Sequence, residues 1–206
     1  PVISDENRRQ NFAVRAYFPN ASRVTIIDEK SGMGYEAGKI HENGFFEAVI
    51  EDKQDFFMYK LEIADYAGNT FEAYDPYSFL PLLTGFDLHL FSEGNHHKIY
   101  DKLGAHICII NGVSGTLFAV WAPCAIRVSV VGNFNQWDGR RHQMRCLGSS
   151  GVFEIFIPGI MHGEIYKYEI KTPQGEIYVK SDPYAFFSEL RPGTASIVYD
   201  LNNYSW

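Results

Sequence analysis

The residues best suited to chemistry stand in one short polar run, Asn133-Phe134-Asn135-Gln136-Trp137, followed by Asp138-Gly139. An indole combines large apolar area with a single N–H donor, which suits a wet, shallow binding surface. Gly132 and the two asparagines permit a tight, exposed loop. The competing reading makes Trp137 an inter-sheet core residue and Asn135 a residue that caps or turns the loop. Trp121 is different: within Leu117–Trp121 it alternates onto one face of a strand, which reads as packing. Histidines at 89, 96, 97, 106 and 142 invite a metal reading, but none shows H-x-x-x-H or cysteine-partner spacing, so no metal is expected. Cys108, Cys124 and Cys146 are odd in number and lack C-x-x-C spacing, which reads as buried, reduced thiols. No nucleophile or acid/base constellation is evident. No catalytic residue and no cofactor are therefore expected.

These residues need elements to hold them, and the chain supplies them twice. At an offset of 107, Gly44-Phe45-Phe46-Glu47 reads against Gly151-Val152-Phe153-Glu154, and Tyr59-Lys60-Leu61-Glu62-Ile63 against Tyr166-Lys167-Tyr168-Glu169-Ile170. Asp75-Pro76-Tyr77 falls on Asp182-Pro183-Tyr184. Over the ungapped 36 positions from Gly44 to Phe79, 13 are identical, where unrelated sequences would give about two, so the repeat is real. Upstream, Pro19–Val24 resembles Pro123–Val128 at an offset of 104; the second copy's three extra residues fall in the stretch with Trp137. Both copies read as strands. Ile126, Val128 and Val130 alternate with Arg127 and Ser129, and Tyr166, Tyr168 and Ile170 with Lys167 and Glu169. Asn111-Gly112 marks a hairpin turn. The fold class is all-β, two tandem sandwiches. Expected boundaries are a first module over 1–79, a connector over 80–104 and a second module over 105–206. Thr84-Gly85-Phe86-Asp87 has the form of a helix start, predicting a short helix that ends near Gly94 and packs between the modules. The Asp-Pro-Tyr runs are expected to close each sandwich.

A net charge of −7 with no strong basic cluster argues against nucleic acid and anionic membranes as partners. The only dense basic spot is Arg140-Arg141-His142, which could contact phosphate or dock on a neighbouring domain. No apolar run approaches the roughly 20 residues of a spanning helix. Pro1–Asp5 does not read as a signal peptide, and the ends read as those of a segment cut from a longer chain.

From Asp75 onward the chain resembles the N-terminal region of bacterial glycogen (1,4-α-glucan) branching enzymes. The matching runs are Leu103-Gly104-Ala105-His106, Phe118–Pro123, Arg127–His142, Tyr166–Glu169, Lys180–Phe186 and Arg191–Ser196, in family order. Residues 1–74 match more loosely, as an extra N-terminal module. The resemblance implies two immunoglobulin-like sandwiches, the second similar to family 48 carbohydrate-binding modules, in front of a catalytic (β/α)₈ barrel. That barrel would move an α-1,4 glucan chain to a 6-hydroxyl with retention, using two carboxylates about 5–5.5 Å apart. A barrel needs about 250 residues, so the chain itself should be inactive. The implied partners are α-glucan (glycogen, maltooligosaccharides) and the parent protein's own catalytic barrel, in the cytoplasm. Trp137, Asn135 and Lys167 match the sugar contacts of related modules. Lys167 also reads as a solvated surface lysine, because Lys60 repeats it in a copy without the tryptophan loop. Two departures stand out: Ile177 occupies a second aromatic position, with Tyr178 beside it, and an asparagine expected near Ser196 is absent. The first module reads as a spacer without an evident site. The alternative is an immunoglobulin-like interaction or scaffold pair without carbohydrate affinity.

Overall fold

The computed structural model describes residues 2–4, 10–51, 53 and 56–203. The chain divides into two compact units, Pro1–Ser78 and Phe79–Trp206. The segment expected as a separate connector clusters with the second unit.

The first unit is all β. Its strands are β1 (Val2–Ser4), β2 (Gln10–Tyr17), β3 (Ala21–Asp28), β4 (Gly34–His41), β5 (Phe45–Ile50), β6 (Tyr59–Asp65) and β7 (Thr70–Tyr74). They hydrogen-bond in the order β1-β2-β5-β4-β3-β6-β7. The first half of β4 pairs with β3 and the second half with β5, so one strand joins both layers. Alternation along β5 and β6 turns Phe46, Ala48, Ile50, Tyr59, Leu61 and Ile63 inward, onto Val24 and Ile26. Burying each large side chain contributes about 1.5–3 kcal/mol.

The second unit packs two sheets. Strands β8 (Gly104–Ile110), β9 (Val113–Trp121), β11 (Arg145–Cys146) and β12 (Val152–Pro158) form one, in the order β11-β12-β9-β8. Strands β10 (Arg127–Gly132), β13 (Ile165–Lys171), β14 (Ile177–Lys180), β15 (Phe187–Ser188) and β16 (Ser196–Ile197) form the other, with β13 bonded to β10, β14 and β16. Asn111 and Gly112 both have positive φ in the β8–β9 hairpin, as its two-residue turn requires. The core gathers Phe118, Val120, Val128, Val130, Phe153, Ile155, Tyr166 and Tyr168.

The duplication is visible in the hydrogen bonds. Tyr59 donates its hydroxyl to Asp75 Oδ2 at 2.6 Å, and Tyr166 to Asp182 Oδ2 at the same 2.6 Å. The other oxygen of each aspartate accepts the backbone N–H of Tyr77 (2.9 Å) or Tyr184 (2.8 Å). Each Asp-Pro-Tyr run thus ties the segment after β7 or β14 back to the core tyrosine of β6 or β13. Gly44 and Gly151 also occupy equivalent places. Both have positive φ, and a Cβ would fall 2.4 Å from Pro19 Cα in one unit and 2.7 Å from Pro123 Cα in the other. Only glycine fits so close a backbone approach.

The units differ in the segment before β8. Helix α1 (Gly85–Ser92) starts at a capping box, in which Thr84 Oγ1 accepts from the Asp87 N–H and the Asp87 carboxylate accepts from the Thr84 N–H. The nearly buried Asp87 also meets His96 Nε2 and Lys102 Nζ, each at 3.3 Å. Ahead of the helix, the Leu82 and Leu83 N–H groups donate to the two oxygens of Glu154, at 2.7 and 2.9 Å. Glu154 is 2% exposed, and burial pushes its carboxyl above the usual range despite these bonds. Phe79 packs on Phe156 with centroids 4.7 Å apart, and Phe91 on Trp121 at 5.7 Å. The segment from Phe79 to Phe91 therefore covers the outer face of β9 and β12. Trp121 departs from the packing expected of it. It touches Phe91 yet remains 51% exposed, because its strand ends at the rim of the sheet.

Candidate glucan-binding site

Strand β10 ends at Gly132, whose extended backbone runs against β13; a Cβ there would lie 2.3 Å from the Ile165 carbonyl oxygen. One 3₁₀ turn, Asn133–Asn135, follows. Asn135 is fully buried. Its Nδ2 donates to the Val130 carbonyl at 2.8 Å and to His142 Nδ1 at 2.9 Å, while its Oδ1 accepts from the Gly132 N–H at 3.0 Å. The amide is spent inside the loop. The sugar contact expected of Asn135 is therefore corrected to a positioning role, since no face of the amide reaches solvent.

His142 accepts at Nδ1, which assigns its proton to Nε2. Burial, reinforced by the Arg141 charge, pulls its pKa down from 6.5 to about 4, so the ring is neutral at pH 7. The return segment binds the free edge of β10: the Val130 N–H donates to the His142 carbonyl at 3.0 Å, and the Met144 N–H to Val128 at 2.8 Å.

Between these anchors the chain makes two left-handed residues in succession, Gln136 (φ 58°) and Trp137 (φ 59°). This conformation costs a non-glycine residue about 1–2 kcal/mol. Here the surrounding bonds impose it: the Trp137 N–H donates to the Gly132 carbonyl at 2.9 Å, and the Asp138 N–H to Asn135 at 3.1 Å. The indole is 40% exposed, outside the core, and its Nε1 donates to Asn133 Oδ1 at 2.9 Å. The Asp138 carboxylate accepts from the Arg140 backbone N–H and guanidinium, at 2.8–3.2 Å, and these bonds hold its pKa down at about 2. Arg140 thus braces the loop. Gly139 lies on the Glu169 carboxylate, where a Cβ would be 2.2 Å from Oε1; Glu169 in turn is paired with Arg127. Sequence reasoning missed this support, and its only trace was the Asp-Gly pair after the tryptophan.

Lys167 lies opposite Val131, one residue before the glycine from which the loop springs. Its neighbours Tyr166 and Tyr168 face the core, so Lys167 faces outward, and its Nζ donates to Thr194 Oγ1 at 2.7 Å. Pairing of β13 with β14 sets Ile177 opposite Lys171 and Val179 opposite Glu169, on this same outward face. Both are about half exposed. Tyr178 takes the other face, with its hydroxyl on Glu176 at 2.7 Å and Lys180 over its ring. Ser196 is buried and accepts the Asp182 N–H. The outward face of β13 and β14 thus offers an ammonium and two aliphatic side chains, and the loop bearing the exposed indole springs from the neighbouring β10. Among the described residues no group of three or more His, Cys, Asp or Glu could hold a metal, and no helix is long and apolar enough to cross a membrane.

Two family models match. Residues 5–77 match the alpha-1,4-glucan branching enzyme GlgB N-terminal domain, and residues 102–185 match carbohydrate-binding module 48, the isoamylase N-terminal domain. The 1,4-alpha-glucan branching enzyme GlgB of Thermosynechococcus vestitus is 52% identical over 202 residues, covering 98% of this chain and 26% of the relative. Those of Trichormus variabilis and Nostoc sp. (strain PCC 7120) are each 51% identical over 209 residues, with the same coverage. The chain spans about a quarter of the length of these curated relatives. With both matches in order and identity running through nearly the whole chain, it carries a GlgB N-terminal domain followed by a carbohydrate-binding module 48, and is similar throughout to the corresponding part of 1,4-alpha-glucan branching enzymes.

Proposed function

We propose that these two modules are the non-catalytic front of a cytoplasmic glycogen branching enzyme, and that the second holds an α-glucan strand on Trp137 and Lys167. The observation that carries this reading is the exposed indole, fixed at positive φ by a buried amide and a neutral histidine. A sugar ring lays its apolar C–H face on such an indole, and the outward-facing Lys167 ammonium, bonded to Thr194 Oγ1, is a donor to which sugar hydroxyls can turn. The site is shallow and half aliphatic, with Ile177 and Val179 beside the lysine, which suits guidance of a long chain more than tight capture. Chain transfer itself belongs to a catalytic barrel elsewhere in the parent protein, which the modules also support, and this chain alone is inactive. Native gels containing glycogen test the binding. The chain should be retarded, and Trp137→Ala should weaken retardation roughly three- to tenfold, the loss expected for one aromatic contact. A wild-type chain that migrates like an inert control would sink the claim of glucan contact.

A further inference from the structure

The duplication sets Tyr17 and Phe45 at the positions of Trp121 and Val152, and Arg15 and Glu47 at those of Ala119 and Glu154. The strand pairing agrees: Tyr17 lies opposite Phe45 and Arg15 opposite Glu47, as Trp121 lies opposite Val152 and Ala119 opposite Glu154. In the second unit this sheet face is covered by the unit's own chain. There Glu154 is buried under the Leu82 and Leu83 amides, and Phe91 sits on Trp121.

In the first unit side chains on the same face are exposed. Phe45 is 45% exposed and Val49 49%. Three rings adjoin on it: Tyr17 and Phe45 have centroids 4.7 Å apart at 39°, and His41 meets Phe45 edge-on at 6.4 Å. Beside the rings, the Arg15 guanidinium donates to the Glu47 carboxylate, with the arginine side chain half exposed. This pair decides what fits. A polypeptide strap like that of the second unit would strip water from both charges, at a cost that attraction between them rarely recovers. The second unit avoids the problem with an alanine where the first has Arg15. A polyhydroxylated ring does not meet it, because hydroxyls replace the lost water while C–H faces cover the aromatic rings.

We propose that the outer face of β2, β5 and β4 is a second α-glucan site, with Tyr17, Phe45 and His41 as its platform and Arg15 and Glu47 as its hydroxyl partners. Its ligand class rests on the function proposed above; its location does not depend on Trp137, which lies in the other module. The test compares the 206-residue chain with Phe45→Ala, Trp137→Ala and the double variant, in native gels with glycogen and by titration with maltoheptaose. Phe45→Ala should weaken binding roughly three- to tenfold, and the double variant should lose what Trp137→Ala retains. Phe45→Trp keeps an aromatic ring and should restore binding, which separates loss of contact from loss of folding. If Phe45→Ala binds like wild type and the double variant like Trp137→Ala, the proposal is overturned. It is also overturned if no variant or wild type binds, or if Phe45→Ala leaves glucan binding intact and instead abolishes self-association in sedimentation. If Trp137→Ala has no effect while Phe45→Ala does, this site stands and the Trp137 reading falls.

Discussion

Asp182 shows how much one side chain can hold. It receives the hydroxyls of Tyr166 (2.6 Å) and Tyr168 (3.2 Å) and the Tyr184 N–H, all in the buried half of the second unit. Asp182→Ala leaves two buried hydroxyls without this acceptor, and should destabilise the unit by about 2–4 kcal/mol in urea unfolding. Asn135→Ala removes three bonds from the Trp137 loop at once. It should red-shift Trp137 emission, measured with Trp121 and Trp206 changed to phenylalanine, and weaken glycogen retardation as strongly as Trp137→Ala. The Asp-Pro-Tyr closures were legible in the sequence because Asp and Tyr recur at one offset in both copies. The burial of Asn135 was not legible. Its acceptor is a ring nitrogen seven residues away, and nothing in the residue type distinguishes a buried loop amide from an exposed one.

At the scale of elements, the loop over 133–142 should respond to acid. The folded state holds His142 neutral, with its pKa near 4 rather than 6.5, between Asn135, Phe134 and the Arg141 charge. A depressed histidine pKa adds stability that is complete above pH 6.5 and lost as pH falls toward 4. Protonation also turns Nδ1 from acceptor to donor, facing the Asn135 amide. Trp137 emission should therefore shift across that window, and His142→Gln should remove the shift; a flat trace in the parent chain would contradict the assignment. The segment before β8 hangs on Glu154. Glu154→Ala frees two backbone amides, and should make residues 79–92 the first site of limited proteolysis. Helix α1 itself was readable from its capping box. Its seat on β9 and β12 was not, because the partners of Glu154 are backbone N–H groups, which no sequence pattern marks.

Over the whole molecule, the two units share a plan and differ in which face each leaves open. The sandwich class and the duplication could be read directly from period-2 alternation and from residues repeated at one offset. Strand β4, divided between two partners, could not, since alternation does not reveal which neighbour a strand joins. In the first unit Asp28 is 2% exposed and is held well below the usual carboxylate range, chiefly by its bond to Lys53 at 2.6 Å, with Ser31 adding to it. Such a carboxylate adds stability above its unfolded pKa of 3.8 that disappears below it. An Asp28→Asn variant with the same urea midpoint as wild type at pH 7 would show this bond to be idle. The expected result is a lower urea midpoint for the variant at pH 7, with the gap to wild type narrowing as pH falls below 3.8.

The paired tyrosine–aspartate bonds carry a consequence at the opposite end of the pH scale. Tyr59, Tyr166 and Tyr168 are all pushed above the ordinary phenol range, first by burial and then by the aspartate charge each faces. Their contribution to stability is whole below pH 10 and drains away as alkali rises. In a spectrophotometric titration of phenolate absorbance, exposed tyrosines should ionise gradually and reversibly. These three should stay silent and then ionise abruptly, in step with loss of far-ultraviolet dichroism. The same residues that close each sandwich thus give it a built-in optical signal of opening, with no label attached.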